Sequence, residues 1–595
     1  MSNCRANFIA AILLLVMFGL ALFSILDDSL TFDETAHIAA GFSYLTQKDY
    51  RLNPEHPPLI KDIAALPLLF LNLNFPKEHP SWLQENPPQW WDQFNLATQF
   101  LYQSGNNPDQ ILFWSRIPMI FLLIFLGWFL FYWTRKLFDN KVALLTLFLF
   151  SFSPTFISHG RLVTTDVGAV LGVVLATYFW LNFLKNPSKR NIIIAALILG
   201  ISLLFKFSLI LLVPFLGIIT IVYAWLNKIS ILKYIGLSIL IGVVALIFVI
   251  WPIYQYHIWN YPVERQIRDT QFLLDTSSIP KPLIEINKWL SEQPIFRPFS
   301  QYLLGLSLAI NRSATGHTTY FLGEISAAGW KNYFPVVYSI KEPLAFHILT
   351  LIALLYVAWL IRLRQGFDGQ VKKPLWQETW QRMRNWIKSH FPEFTMLTFI
   401  LIYWLTSLTS KLNIGVRHLL PVFPFTILLV SAVIISWLKG PFLKFKYLLL
   451  GILILWQIVS VISIYPHFLA YFNELAGGPN RGYIYTVNSN LDWGQDLKRL
   501  KKWLDEKGIE EIYLDYFGGG DAKYYLKEKF APWWGQRDPK ELPKGSYLAV
   551  SATLLQGGRA KAVKGFDQPS NYYRWLDKYT PLTKIGYSIF IYYID

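Results

Sequence analysis

The sequence predicts an α-helical polytopic membrane protein of about eleven transmembrane helices followed by a small α/β domain. Three observations predict it. Eleven apolar runs approach the ~20 residues needed to cross a bilayer. Only 15% of residues are charged and 53% are hydrophobic, against roughly 25% charged in soluble domains. After Pro466 the composition turns to that of a soluble domain.

The runs lie near 8–26, 111–134, 142–158, 162–184, 191–207, 208–226, 231–254, 343–361, 394–409, 419–438 and 447–465. Their tightest boundary falls at Lys206. The first run resembles a signal peptide, but no small-residue cleavage pattern follows it at Ser24–Asp28, so it reads as a retained helix. Arg135, Lys136 and Lys141 follow the second run, and Lys185, Lys189 and Arg190 follow the fourth. Lys228 and Lys233 follow the sixth. Arg362, Arg364, Lys372, Lys373, Arg382, Arg384 and Lys388 follow the eighth, and Lys439, Lys444 and Lys446 the tenth. Lys and Arg collect in cytoplasmic loops, so all five clusters agree if the N-terminus is cytoplasmic. That orientation puts 27–110, 255–342 and everything after Pro466 outside, giving a membrane domain 1–465 and an extracytoplasmic domain 466–595. It also accounts for the net charge of +16 without a nucleic-acid partner. The single cysteine, Cys4, excludes an intramolecular disulfide and every Cys-based metal or redox motif.

The informative cations are those on the wrong side. The outer turns hold Arg161, Lys206, Lys411, Arg417 and His418. Lys411 fits snorkelling toward headgroups, whereas Arg161, Lys206, Arg417 and His418 are candidate ligands of an anion.

The first outer loop begins Thr31-Phe-Asp33-Glu34. Thr-x-x-Glu is a capping box and predicts a helix from about Phe32. Its stripe of Ile38, Phe42 and Leu45 beside Asp33, His37 and Tyr44 predicts an interfacial helix at the membrane surface. Glu34 serves the cap, so Asp33 is the better catalytic candidate of the pair. Asn53-Pro-Glu55-His56-Pro-Pro-Leu59 is a rigid turn that presents Glu55 and His56 to the same compartment, before a second helix from Leu59 to about Leu73. Farther on, Asp166 enters the fourth run, and an acid there needs a partner. Arg161, five residues earlier, or a cation from across the site is the expected one. In the second outer loop, Gly316–Glu324 is expected to form a flexible cover. In the C-terminal domain, Asn490–Gln495 is expected to cap a helix reaching about Lys507. Strands are expected near 511–517, 547–553 and 587–593. The Gly518–Gly520 run reads as a turn, with no P-loop Lys-Ser/Thr behind it.

No Walker motif, Gly-x-Ser-x-Gly or His-Glu-x-x-His occurs, which argues against an ATP-driven pump, a serine hydrolase and a zinc peptidase. An acidic site among cations at an outer membrane face suits transfer of a polar group from a lipid-linked phosphate. A carboxylate would deprotonate the acceptor hydroxyl while Arg or Lys holds the phosphate. His37, Glu55, His56 and Asp166 are the candidate substrate-binding residues. No cofactor is expected, although Asp33, Glu34, His37 and His56 are residue types that bind a divalent metal. The alternative reading is a transporter or lipid flippase, which predicts an internal repeat; none is evident.

Phe32-Asp33-Glu34 after the first span, His56-Pro57-Pro58-Leu59 in the same loop and Thr165-Asp166 at the fourth span resemble the integral-membrane C-type-fold (GT-C) glycosyltransferases. Protein O-mannosyltransferases and aminoarabinose lipid A transferases belong to that family. The resemblance runs from about Asn7 to Pro466. It implies a polyprenyl-phosphate sugar donor, a protein, lipid or glycan acceptor at the outer face, Asp33 as general base, and basic residues of Asn413–Pro421 facing the phosphate. The sequence departs from the family at His56, where some members carry Lys. It also has no sugar-binding repeat module, and its C-terminal α/β domain differs.

Overall fold

The computed structural model describes residues 1–83, 88–366 and 375–595. Lys372, Lys373 and the Arg364 side chain lie outside the described residues. Among these, nine helices are long and apolar enough to cross a membrane, or up to ten if the bent pair Asn140–Ser151 and Pro154–Gly160 is one span. The count falls below eleven because the 191–207 run forms only the 15-residue helix Lys189–Leu203. At 1.5 Å per residue this rises about 22 Å, short of a ~30 Å hydrocarbon core.

Local chemistry sets the boundaries. Asn107 caps the helix Pro108–Leu137 through the Asp109 and Gln110 N–H groups, with proline first in the helix. Ser153 caps Pro154–Gly160, and the bend before that helix is 63°. After Leu203 the chain leaves the helix, and Lys206 is extended (φ −157°, ψ 136°) before the Phe207–Leu226 span. The tight boundary at Lys206 is therefore a kink.

The capping box is present as expected: Glu34 accepts from the Thr31 N–H, and the helix runs Phe32–Gln47. It is not an interfacial helix, however. Every residue from Glu34 to Tyr44 is buried, because other parts of the chain cover both its polar and apolar faces. On one side lies Leu59–Ala65, close enough that a Cβ at Gly41 would sit 2.2 Å from the Lys61 carbonyl oxygen. On another side lies the Gly518–Gly520 turn, where a Cβ at Gly519 would meet the Thr35 hydroxyl at 2.1 Å. The glycine run is a docking surface for this helix.

In the second outer loop, Gly316–Glu324 enters a paired hairpin instead of forming a loose cover. The loop is largely helical, at Val263–Asp275, Lys281–Glu292, Arg297–Thr315 and Tyr333–Lys341, with the hairpin made of β1 (Thr319–Phe321) and β2 (Glu324–Ser326). The C-terminal region carries β3 (Ile512–Asp515), β4 (Phe530–Pro532), β5 (Ser546–Ser551), β6 (Lys561–Ala562), β7 (Thr583–Ile585) and β8 (Ile589–Ile594). One sheet runs β4-β3-β5-β8-β7, with β3 parallel to β4 and β5 and the remaining pairs antiparallel. A second sheet, β1-β2-β6, joins the outer-loop hairpin to the C-terminal region. The helix ending at Lys507 begins at Leu497, not near Asn490. Residues 490–496 instead form a buried loop whose carbonyls accept the Ser29 and Phe32 N–H groups, at 2.9 Å each.

Candidate active site

Three spans begin at one place. Asp166 opens Asp166–Lys185, Lys206 immediately precedes Phe207–Leu226, and Arg417 is the second residue of Val416–Trp437. Their N-terminal ends add positive potential at that membrane face. Asp33 enters from the first turn of Phe32–Gln47.

The side chains form a chain of ion pairs. Lys206 Nζ lies 2.6 Å from Asp166, Arg417 lies 3.4 Å from the other Asp166 oxygen, and the same Arg417 nitrogen lies 3.0 Å from Asp33. The Asp166 side chain is fully buried, whereas that of Asp33 is 25% exposed. Asp33 is the accessible carboxylate of the chain. The Arg417 guanidinium stacks 4.4 Å over Trp493, a residue the sequence reading missed. Its signal was the Asn490–Gln495 stretch, read there only as a helix cap.

His37 and His56 meet edge to face at 5.2 Å. The His37 Nδ1 lies 2.8 Å from the Val163 carbonyl. A carbonyl only accepts, so Nδ1 carries the proton and Nε2 of the neutral ring is an acceptor. Burial lowers the pKa of both rings, His56 strongly. Glu55 pairs with Arg312 at 2.6 Å in a partly exposed position. Lys206, Arg417 and Arg312 all lie within electrostatic reach of His418. His317, which the sequence reading put in the cover, is within electrostatic reach of Asp33 and Arg417, and burial pushes it down to about 4.

Two candidates sit elsewhere. Arg161 does not pair with Asp166; it is buried against Asp28 at 2.5 Å and the Ser24 carbonyl at 2.8 Å. The turn after Gly160, which Arg161 enters in a helical backbone conformation, directs it back toward the first helix, and the kinked Lys206 pairs with Asp166 from across the site. Glu34 is fully buried. One of its oxygens accepts from Arg116 Nε and the Val163 N–H, the other from Arg116 and Thr31. Burial alone would raise the Glu34 pKa, but Arg116 and these N–H groups hold it below its ordinary value. Arg116 was also missed, although an arginine inside an apolar run is itself a signal. Lys61, fully buried, donates to Tyr44, to Asn53 and to the His56 carbonyl, which fixes the Pro-Pro turn. Among the described residues no group of three or more His, Cys, Asp or Glu is arranged to hold a metal ion.

The fold and site define a multi-pass membrane protein with a charged, solvent-reaching centre where several spans begin. The sequence model of the dolichyl-phosphate-mannose-protein mannosyltransferase family matches residues 101–254, a segment that contains Asp166 and Lys206. This bears out the resemblance to GT-C glycosyltransferases. Among curated proteins none matches the chain. Solved structures to which the chain shows similarity include the Archaeoglobus fulgidus oligosaccharyltransferase in its apo form, at 11% identity and TM-score 0.47, covering 89% of this chain and 64% of that one. Its complex with Zn and sulfate gives 12%, 0.43, 91% and 68%. ArnT from Cupriavidus metallidurans bound to undecaprenyl phosphate gives 11%, 0.31, 100% and 98%. This chain thus spans just under two thirds of the length of the apo oligosaccharyltransferase. All three TM-scores lie below 0.5.

Proposed function

We propose that the protein transfers a sugar from a polyprenyl-phosphate donor to a hydroxyl acceptor at the outer face of the membrane, with inversion and with Asp33 as general base. One observation carries this reading. Asp33 is an accessible carboxylate, and the Arg417 it pairs with shares Asp166 with Lys206. The acceptor hydroxyl gives its proton to Asp33 as its oxygen attacks the anomeric carbon. The bond from that carbon to the phosphate oxygen breaks, and the electron pair leaves with the lipid phosphate. Arg417 and Lys206, held by the buried Asp166, face the developing phosphate charge. His37, His56 and the Glu55–Arg312 pair border the space for sugar and acceptor. The family description supports a lipid-phosphate sugar donor, and the five positively charged loops support the outer-face placement.

The test reconstitutes the full chain in liposomes with radiolabelled polyprenyl-phosphate sugars and follows the label into lipid and protein fractions. Transfer by the wild type, and transfer lowered about 10²–10⁴-fold by Asp33→Asn, is expected. Full transfer by a folded Asp33→Asn protein would remove Asp33 as the base.

A further inference from the structure

We propose a second anion site: a pocket at the opposite membrane face that takes the phosphate headgroup of an anionic phospholipid. It lies where the Phe207–Leu226 span ends, against the helix Leu375–Ser389. That span is 20 residues long, a rise of about 30 Å, so the pocket is a bilayer thickness away from Lys206 and the Asp33 site.

The cavity has a volume of about 360 Å³. Its charged lining residues are Lys228, Arg384 and Lys388, joined by the carboxamides of Asn227 and Asn385 and the indole of Trp380, with no carboxylate. None of the three cations has an ion-pair partner among the described residues. The Arg384 guanidinium is held 5.2 Å over the Trp225 ring, and Trp225 packs against Trp380 at 6.0 Å. Three unpaired cations facing one cavity repel one another, and an anion rich in acceptor oxygens relieves that repulsion.

The source of the phosphate follows from the helix itself. Trp380, Met383 and Trp386, spaced three apart, are 50%, 43% and 37% exposed, while Arg384 and Lys388, spaced four apart, turn to the pocket. A basic amphipathic helix with exposed tryptophans is the chemistry of a segment lying in the headgroup layer. Trp225, 42% exposed on the adjoining span, continues the apolar surface. The pocket therefore opens at headgroup level beside acyl chains.

The experiment uses the full-length protein, delipidated in detergent, titrated with phosphatidylglycerol, with phosphatidylcholine and with inorganic phosphate. Adducts are counted by native mass spectrometry. A retained phosphatidylglycerol adduct is expected, weakened about fivefold for each cation removed and about a hundredfold in the Lys228→Ala/Arg384→Ala/Lys388→Ala protein. Arg384→Lys with Lys388→Arg should keep binding, and thermal melting checks that each variant is folded. Equal binding of phosphatidylcholine, or an adduct indifferent to all three substitutions, overturns the proposal. Saturation by inorganic phosphate without lipid selectivity overturns the lipid as its source.

Discussion

Two charge networks flank the first turn of one helix, and the neighbouring acids Asp33 and Glu34 belong to different ones. On the Glu34 side, Arg161, Arg499 and Arg116 converge on Asp28 at 2.5, 2.8 and 3.8 Å, and Arg116 grips Glu34 at 2.6 Å. Asp28, Glu34, Arg116 and Arg161 are shut off from solvent. On the Asp33 side the distances are similar, but Asp33 and Lys206 remain partly exposed. Similar side chains therefore do different work according to access. A sealed network joins three parts of the chain and holds the helix in place. An open one leaves charge within reach of solvent.

Substitutions sharpen that contrast. Asp33→Asn should lower transfer by about 10²–10⁴-fold while the melting temperature stays near the wild-type value; a large loss of stability would merge the two networks. Glu34→Ala leaves Arg116 buried without its main partner and should cost about 3–5 kcal/mol, read as a lower melting temperature or loss of folded protein. Next in size, Arg417→Lys should raise the donor KM about tenfold, because a point charge replaces a guanidinium fork. An unchanged KM would take Arg417 away from the phosphate.

Acid should act on the sealed side. Burial raises the Asp28 pKa, but its three arginines outweigh this and lower it, as Arg116 does for Glu34. Depressed folded-state values mean that this stability is complete above the unfolded carboxylate range and is lost as pH falls through the lower folded values. Melting temperature should hold level down to about pH 5 and fall below about pH 4. The smallest effect belongs to Glu55→Gln. Its partly exposed pair with Arg312 should contribute under about 1 kcal/mol, so any marked loss of transfer would report a contact with substrate.

Much of this architecture was legible in the sequence because it is local. Apolar run length gave most of the spans, Thr31 and Glu34 gave the helix start, and the strand pattern at 511–517, 547–553 and 587–593 fell on β3, β5 and β8. Asp33, Asp166, Lys206 and Arg417 stood out as charges at span boundaries. What stayed hidden is pairing at long range. Nothing near Arg161 in the sequence points to Asp28, more than 130 positions away, and the nearer Asp166 is a poor guide once Lys206 kinks inward. Gly316–Glu324 misled because its glycines serve a paired hairpin, Gly323 taking the positive φ of the turn between β1 and β2.

The bond from Ser29 to the Gly494 carbonyl joins residues 465 positions apart, and it has a consequence for biosynthesis. At about 5–20 residues per second, the ribosome needs roughly 25–90 s to deliver that carbonyl after Ser29 has emerged. For that time the capping-box helix stands beside the membrane with its glycine-turn partner and the Trp493 platform still unmade. The centre that Arg417 completes thus lacks its Trp493 platform through most of elongation, and a chain stalled before residue 493 carries the acids without the indole that stacks on their arginine.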